Sequence, residues 1–131
     1  MLKLFTWISL WYLLFDRFMK DRKAVTCNGR AAFYASMWND FRQAAMDCGW
    51  ALGLHGSLNA DMDIMAMPWV EDAMSADDMI QHIIDTCFGD SRMLKILQPI
   101  KEQKPHGRIA YAVPIFSDFF LDISVMDLRM K

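Results

Sequence analysis

Apolar positions along the chain fall into blocks with different periods. Residues 1–19 form the most apolar block, with an unbroken run from Leu4 to Phe15 that Asp16 and Arg17 end. That pattern predicts an apolar N-terminal helix, too short for the roughly 20 residues a spanning helix needs. Residues 20–30 are polar and basic, contain Asn28-Gly29, and read as a linker. From Ala31 to Asp47 the period becomes helical, with Phe33, Met37, Phe41, Ala44, Ala45 and Cys48 on one stripe and Gly49 as a stop. Trp50–His55 reads as a short strand. Met62–Met67, closed by Pro68, reads as a buried one. The short Gly56–Ala60 connection predicts an antiparallel hairpin.

The second half continues in the same manner. Ser75-Ala76-Asp77-Asp78 is a helix-capping sequence, followed by the stripe Met79, Ile80, Ile83, Ile84, Cys87 and Phe88 and a stop at Gly89. Asp77 and Asp78 suit the positive end of that helix, and His82 lies beside the stripe as a structural or surface histidine. Met93, Leu94, Ile96 and Leu97 suggest a short helix or strand ended by Pro99. Lys101–Arg108 reads as a polar loop gathering Lys101, Lys104, His106 and Arg108. Ile109–Ile115 and Phe119–Val125 read as two strands of a hairpin, with Pro114 expected on an edge or at a strand end. The expectation is an α+β fold: a small mixed or antiparallel sheet of about four strands flanked by helices. Residues 31–131 form one domain, preceded by the helix 1–19 and the linker 20–30.

Composition narrows the function classes. At 131 residues and 54% hydrophobic, the chain suits one domain with a sizeable core. A net charge of −2 excludes a broad basic field, so no duplex nucleic acid is expected as partner. Cys27, Cys48 and Cys87 are widely spaced and odd in number, which argues against a disulfide framework or structural zinc and for a reducing, cytoplasmic location. The apolar residues 2–15 lack the basic polar face of membrane-surface helices. They point instead to packing on the domain, on a protein partner or on a second copy in a homodimer.

The chemistry sits on the strands. Asp61 and Asp63 fall on one face of the second strand, one pleat apart, directly after the Gly56-Ser57 turn. Asp122 interrupts an otherwise apolar strand and shares its face with Ser124. Carboxylates on a hydrophobic sheet need a positive partner, either a divalent metal or an Arg or Lys. Oxygen-rich sites suit Mg²⁺, with Mn²⁺ as an alternative, and a Gly-Ser turn can present N–H groups and a hydroxyl to phosphate. Lys104 and Arg108 are candidate phosphate-binding cations opposite the carboxylates.

At these residues the chain resembles the DNA polymerase β-like nucleotidyltransferase superfamily, in its small single-domain form. The signature there is an apolar residue, Gly-Ser or Gly-Gly, Asp-x-Asp on a strand, and a third acidic residue on a later strand. Gly56, Ser57, Asp61, Asp63 and Asp122 match it. The resemblance implies Mg²⁺ held by Asp61, Asp63 and Asp122, with Gly56 and Ser57 at a nucleoside triphosphate and Asp122 assisting as base. It implies transfer of a nucleoside monophosphate to a hydroxyl acceptor. The spacer departs from the family, since only Leu58, Asn59 and Ala60 separate Gly-Ser from the first Asp. The alternative is a catalytically silent protein of that fold, a phage- or plasmid-type factor that binds a host protein or toxin.

Overall fold

The computed structural model describes residues 29–89, 98–116 and 119–129. The expected helix 1–19, most of the linker, the segment around Met93–Leu97 and the turn at 117–118 lie outside the described residues. The element order is α1 (Arg30–Asp47), β1 (Trp50–His55), β2 (Asp61–Pro68), α2 (Ala76–Phe88), β3 (Ile100–Gln103), a short 3₁₀ turn (Pro105–Gly107), β4 (Ile109–Phe116) and β5 (Phe119–Val125). The fold is α+β, and its sheet has five strands rather than about four, in the order β1-β2-β5-β4-β3.

The extra strand is β3, which corrects the reading of Lys101–Arg108 as one polar loop. Ile100 to Gln103 pairs antiparallel with Ala112 to Ile109, so only residues 104–108 form the connection. Its four residues are all exposed, so no apolar alternation marks it in the sequence. Pro114 lies in β4 where β3 no longer reaches, and a register shift follows it. Its missing N–H therefore leaves no ladder bond unmade on that side.

Both helices cover one face of the sheet. Phe41, Ala44 and Ala45 of α1 and Met79, Ile80, Ile83 and Ile84 of α2 are buried against Met62, Ile64, Tyr111, Val113, Leu121 and Ile123. Each fully buried Leu, Ile or Met side chain contributes about 1.5–3 kcal/mol relative to exposure. The Ser75 hydroxyl accepts from Asp78 N–H at 3.1 Å, and Gly89 closes α2 in a left-handed conformation. No helix among the described residues covers the opposite face, and none is long and apolar enough to cross a membrane.

β2 and β5 pair in parallel, unlike their neighbours, and sit at the centre of the sheet. Parallel neighbours cannot be joined by a tight turn, and here α2, β3 and β4 intervene. Tyr34, fully buried on α1, holds the two strand starts together. Its hydroxyl donates to Ala60 O at 2.9 Å and accepts from Phe120 N–H at 3.1 Å. Phe33 packs edge-on against its ring, and Phe119 packs tilted against it. The Tyr34→Phe substitution keeps the packing and orphans both backbone groups. We expect a loss of about 1–3 kcal/mol in urea unfolding with an unchanged denaturant slope. A loss within error would show that the bridge is dispensable.

Candidate active site

Parallel pairing sets the site. Asp63 is in register with Asp122, and Asp61 with Phe120. Partners in register share a face, so all three aspartates stand on the helix-free face at the N-terminal ends of the central strands. Asp61 is exposed, and Asp63 and Asp122 are half-buried. His55 of β1, the other neighbour of β2, is in register with Asp63 and shares its face.

The Gly56-Ser57 turn closes against the same carboxylate. Gly56 has φ +77°, and a side chain built there would collide with the Asp63 carboxylate. Glycine is needed twice over, for the left-handed backbone and for the close approach. The three-residue spacer is accommodated by an unusual backbone: Leu58 adopts φ 61° and tucks its side chain against the core. The Ser57 hydroxyl accepts from Asn59 N–H at 3.4 Å, a hydroxyl-closed turn.

The cations arrive from the other edge. Lys104 N–H donates to Arg108 O at 2.8 Å, closing the connection around His106, which takes φ 67°. Arg108 donates to Ser124 Oγ at 3.3 Å, two residues along β5 from Asp122 and on the same face. Lys104 pairs with Glu102 at 2.6 Å. Lys104, Glu102, Asp61, Asp122, Ala112 and Phe120 line a hollow of about 310 Å³. Lys101 belongs elsewhere. It pairs with Asp77 at 3.0 Å, and Asp77 also accepts from the Tyr111 hydroxyl, so these groups tie β3 and β4 to the start of α2. Their hydrogen bonds hold the Asp77 carboxyl below its ordinary range. His106 is exposed and His82 lies on the surface near Asp47.

Asp122 carries the strain of the arrangement. Burial raises its pKa above the ordinary carboxylate value, repulsion from Asp63 and Asp61 adds to this, and Lys104 and Arg108 partly offset it. A hard divalent cation would relieve that repulsion, and the all-oxygen donor set suits Mg²⁺. Among the described residues, no three carboxylate, histidine or cysteine side chains converge closely enough to hold an ion. Register and charge fit a cation.

The structure thus brings together Gly56, Asp61, Asp63, Asp122, Lys104 and Arg108, with Ser57 in the turn beside them. Tyr34 was not apparent from sequence. It falls one position after Phe33 of the apolar stripe, where its hydroxyl carries no periodic signal.

No family model matches the chain, and no curated protein matches it in sequence. Among solved structures it is similar to a cytoplasmic RNA terminal U-transferase, at 14% identity and a TM-score of 0.48. The alignment covers 72% of this chain and 28% of that one. At that identity and TM-score the likeness carries no argument about activity.

Two outcomes test the site's electrostatics and its turn. The raised Asp122 pKa means that its ionised form weakens the fold. Stability from this group is complete below the ordinary carboxylate range, near pH 4, and is lost as pH rises through the folded value. Asp122→Asn should therefore raise the melting temperature at pH 7, and the gain should vanish in acid. A gain independent of pH, or none, would contradict the assignment. Gly56→Ala should cost more than about 1 kcal/mol, because both φ and the Asp63 contact oppose a Cβ. Thermal denaturation measures it, and a neutral effect would mean that the turn does not press on Asp63.

Proposed function

We propose that the chain is a Mg²⁺-dependent nucleotidyltransferase-like protein that moves a nucleoside monophosphate from a nucleoside triphosphate to a hydroxyl acceptor. The observation that carries this reading is the register of Asp63 with Asp122 on parallel strands, with the Gly56-Ser57 turn closed on Asp63. Asp61, Asp63 and Asp122 would hold the metal, with Mn²⁺ as an alternative ion. When bound, the metal would neutralise the carboxylates and the charge on the transferring phosphoryl group.

The chain's own residues supply the remainder. Gly56 lets the backbone come close to the phosphates. The Ser57 hydroxyl and the turn N–H groups would orient them. Lys104 and Arg108 would bring positive charge to the leaving pyrophosphate from the opposite edge. Asp122, half-buried beside the other two carboxylates, would take the acceptor proton. The acceptor oxygen would bond to the α-phosphorus as the bond to the pyrophosphate oxygen breaks, and the proton would pass to Asp122.

A second reading is a catalytically silent protein of this kind that acts by binding another protein. It is favoured by the absence, among the described residues, of three converging metal-ligating side chains and by the Ser57 hydroxyl being engaged within its own turn. One measurement separates the two. Mg²⁺ or Mn²⁺ with ATP at a hundred times its dissociation constant should stabilise the wild type by about 2.7 kcal/mol. That is a melting shift on the order of ten degrees for a domain this size. Asp63→Ala should abolish the shift. No stabilisation in the wild type by metal and nucleotide would sink the enzyme reading and leave the silent one.

A further inference from the structure

The two edges of the sheet are built differently. β3 has four residues, carries Lys101 and Glu102, and lies between Pro99 and Pro105. Short length, charge and proline are the devices that keep an edge strand from pairing with another chain. β1 has six residues, none of them Lys, Arg, Asp, Glu or Pro, and its register against β2 runs unbroken. Among the described residues β2 is its only strand neighbour. Burial falls along the strand, from the buried Trp50 to the exposed Gly53, Leu54 and His55.

The apolar groups along this edge complement one another. Register with Ala66 and Ile64 puts Leu52 and Leu54 on the helix face. The helices stop short of covering that face, since Leu54 is 39% exposed while its partner Ile64 is fully buried. At the other end of the strand lies a hollow of about 280 Å³, lined by Met46, Trp50, Ala51, Leu52, Trp69 and Val70 among others. Trp50 and Leu52 come from one face of β1 and Ala51 from the other, so the hollow lies along the strand's outer edge. One end of β1 thus offers an apolar knob and the other an apolar recess.

A knob and a recess on one strand fit a copy of the same strand running the other way. Under a two-fold axis normal to the sheet, antiparallel β1 strands keep helix face beside helix face. Leu54 of one copy then stands opposite Trp50 or Leu52 of the other, at the recess, and the contact is made twice. No acidic or basic residue lies on the strand, so the pairing sets no like charges opposite each other. A foreign strand could fill the recess, but only a second copy brings a recess for Leu54.

We propose that β1 pairs antiparallel with β1 of a second copy, joining two sheets edge to edge, with Leu54 of each copy seated in the recess of the other. The contact uses neither open face, and both sets of aspartates lie on one side of the joined sheet.

Sedimentation velocity of the full chain tests this. The wild type should be a dimer at concentrations on the order of tens of micromolar. Leu54→Lys alters an exposed side chain, so its melting temperature in dilute solution should match the wild type, while the dimer weakens at least about a hundredfold. Ile100→Lys on the β3 edge and Leu128→Lys, at a side chain 71% exposed after β5, should leave the dimer intact. Amide exchange at residues 50–55 should slow as the wild-type concentration rises. A wild type that stays monomeric, a dimer that survives Leu54→Lys, or one that Ile100→Lys or Leu128→Lys breaks as readily would overturn the proposal. Exchange along β1 that ignores concentration would overturn it independently of any variant.

Discussion

The hydroxyl of Tyr34 is the point on which the arrangement turns. It donates to a carbonyl just before β2 and accepts from an N–H at the start of β5. Two strands that share no hairpin are thereby brought level at their first residues. Their register is what places Asp63 beside Asp122. A slip of one residue would send the slipped strand's carboxylates to the helix face and its apolar residues to the open one. The helix therefore does more than cover the sheet, since it fixes which residues meet on the uncovered side.

That uncovered side is a balance of unlike groups. Three carboxylates crowd the N-terminal ends of β2 and β5, and burial makes the innermost of them costly to ionise. Lys104 and Arg108 approach from one edge, while the Gly56 turn crowds the other. The cations reduce the repulsion at Asp122 without overcoming it. Negative charge in a half-buried setting, only partly offset, is what raises the Asp122 pKa.

Where the sequence has a period, the structure follows it. α1, α2, β1, β2, β4 and β5 lie close to where the apolar stripes and alternations put them. The shared face of Asp61 and Asp63 follows from strand alternation alone. The level of Asp122 with Asp63 does not, because parallel register across some sixty residues is set by tertiary packing. β3 was hidden for a different reason: an exposed edge strand of mixed polarity has no inner face to advertise. Lys101 was misread with it, because strand pairing turns alternate side chains to opposite faces. Lys101 meets Asp77 on the helix side, while Glu102 joins Lys104 at the hollow. Tyr34 was invisible because hydroxyl bridges are set by what lies across the core.

The parallel pairing of β2 and β5 also separates local from long-range assembly. The β1–β2 hairpin is local, and it holds Asp61, Asp63 and the Gly56 turn. Asp122, Lys104 and Arg108 join them through the β2–β5 pairing, a contact with a high loop-closure entropy. The hairpin alone thus carries two carboxylates and no compensating cation. Chemistry that needs all of them is confined to the chain whose longest-range pairing has closed.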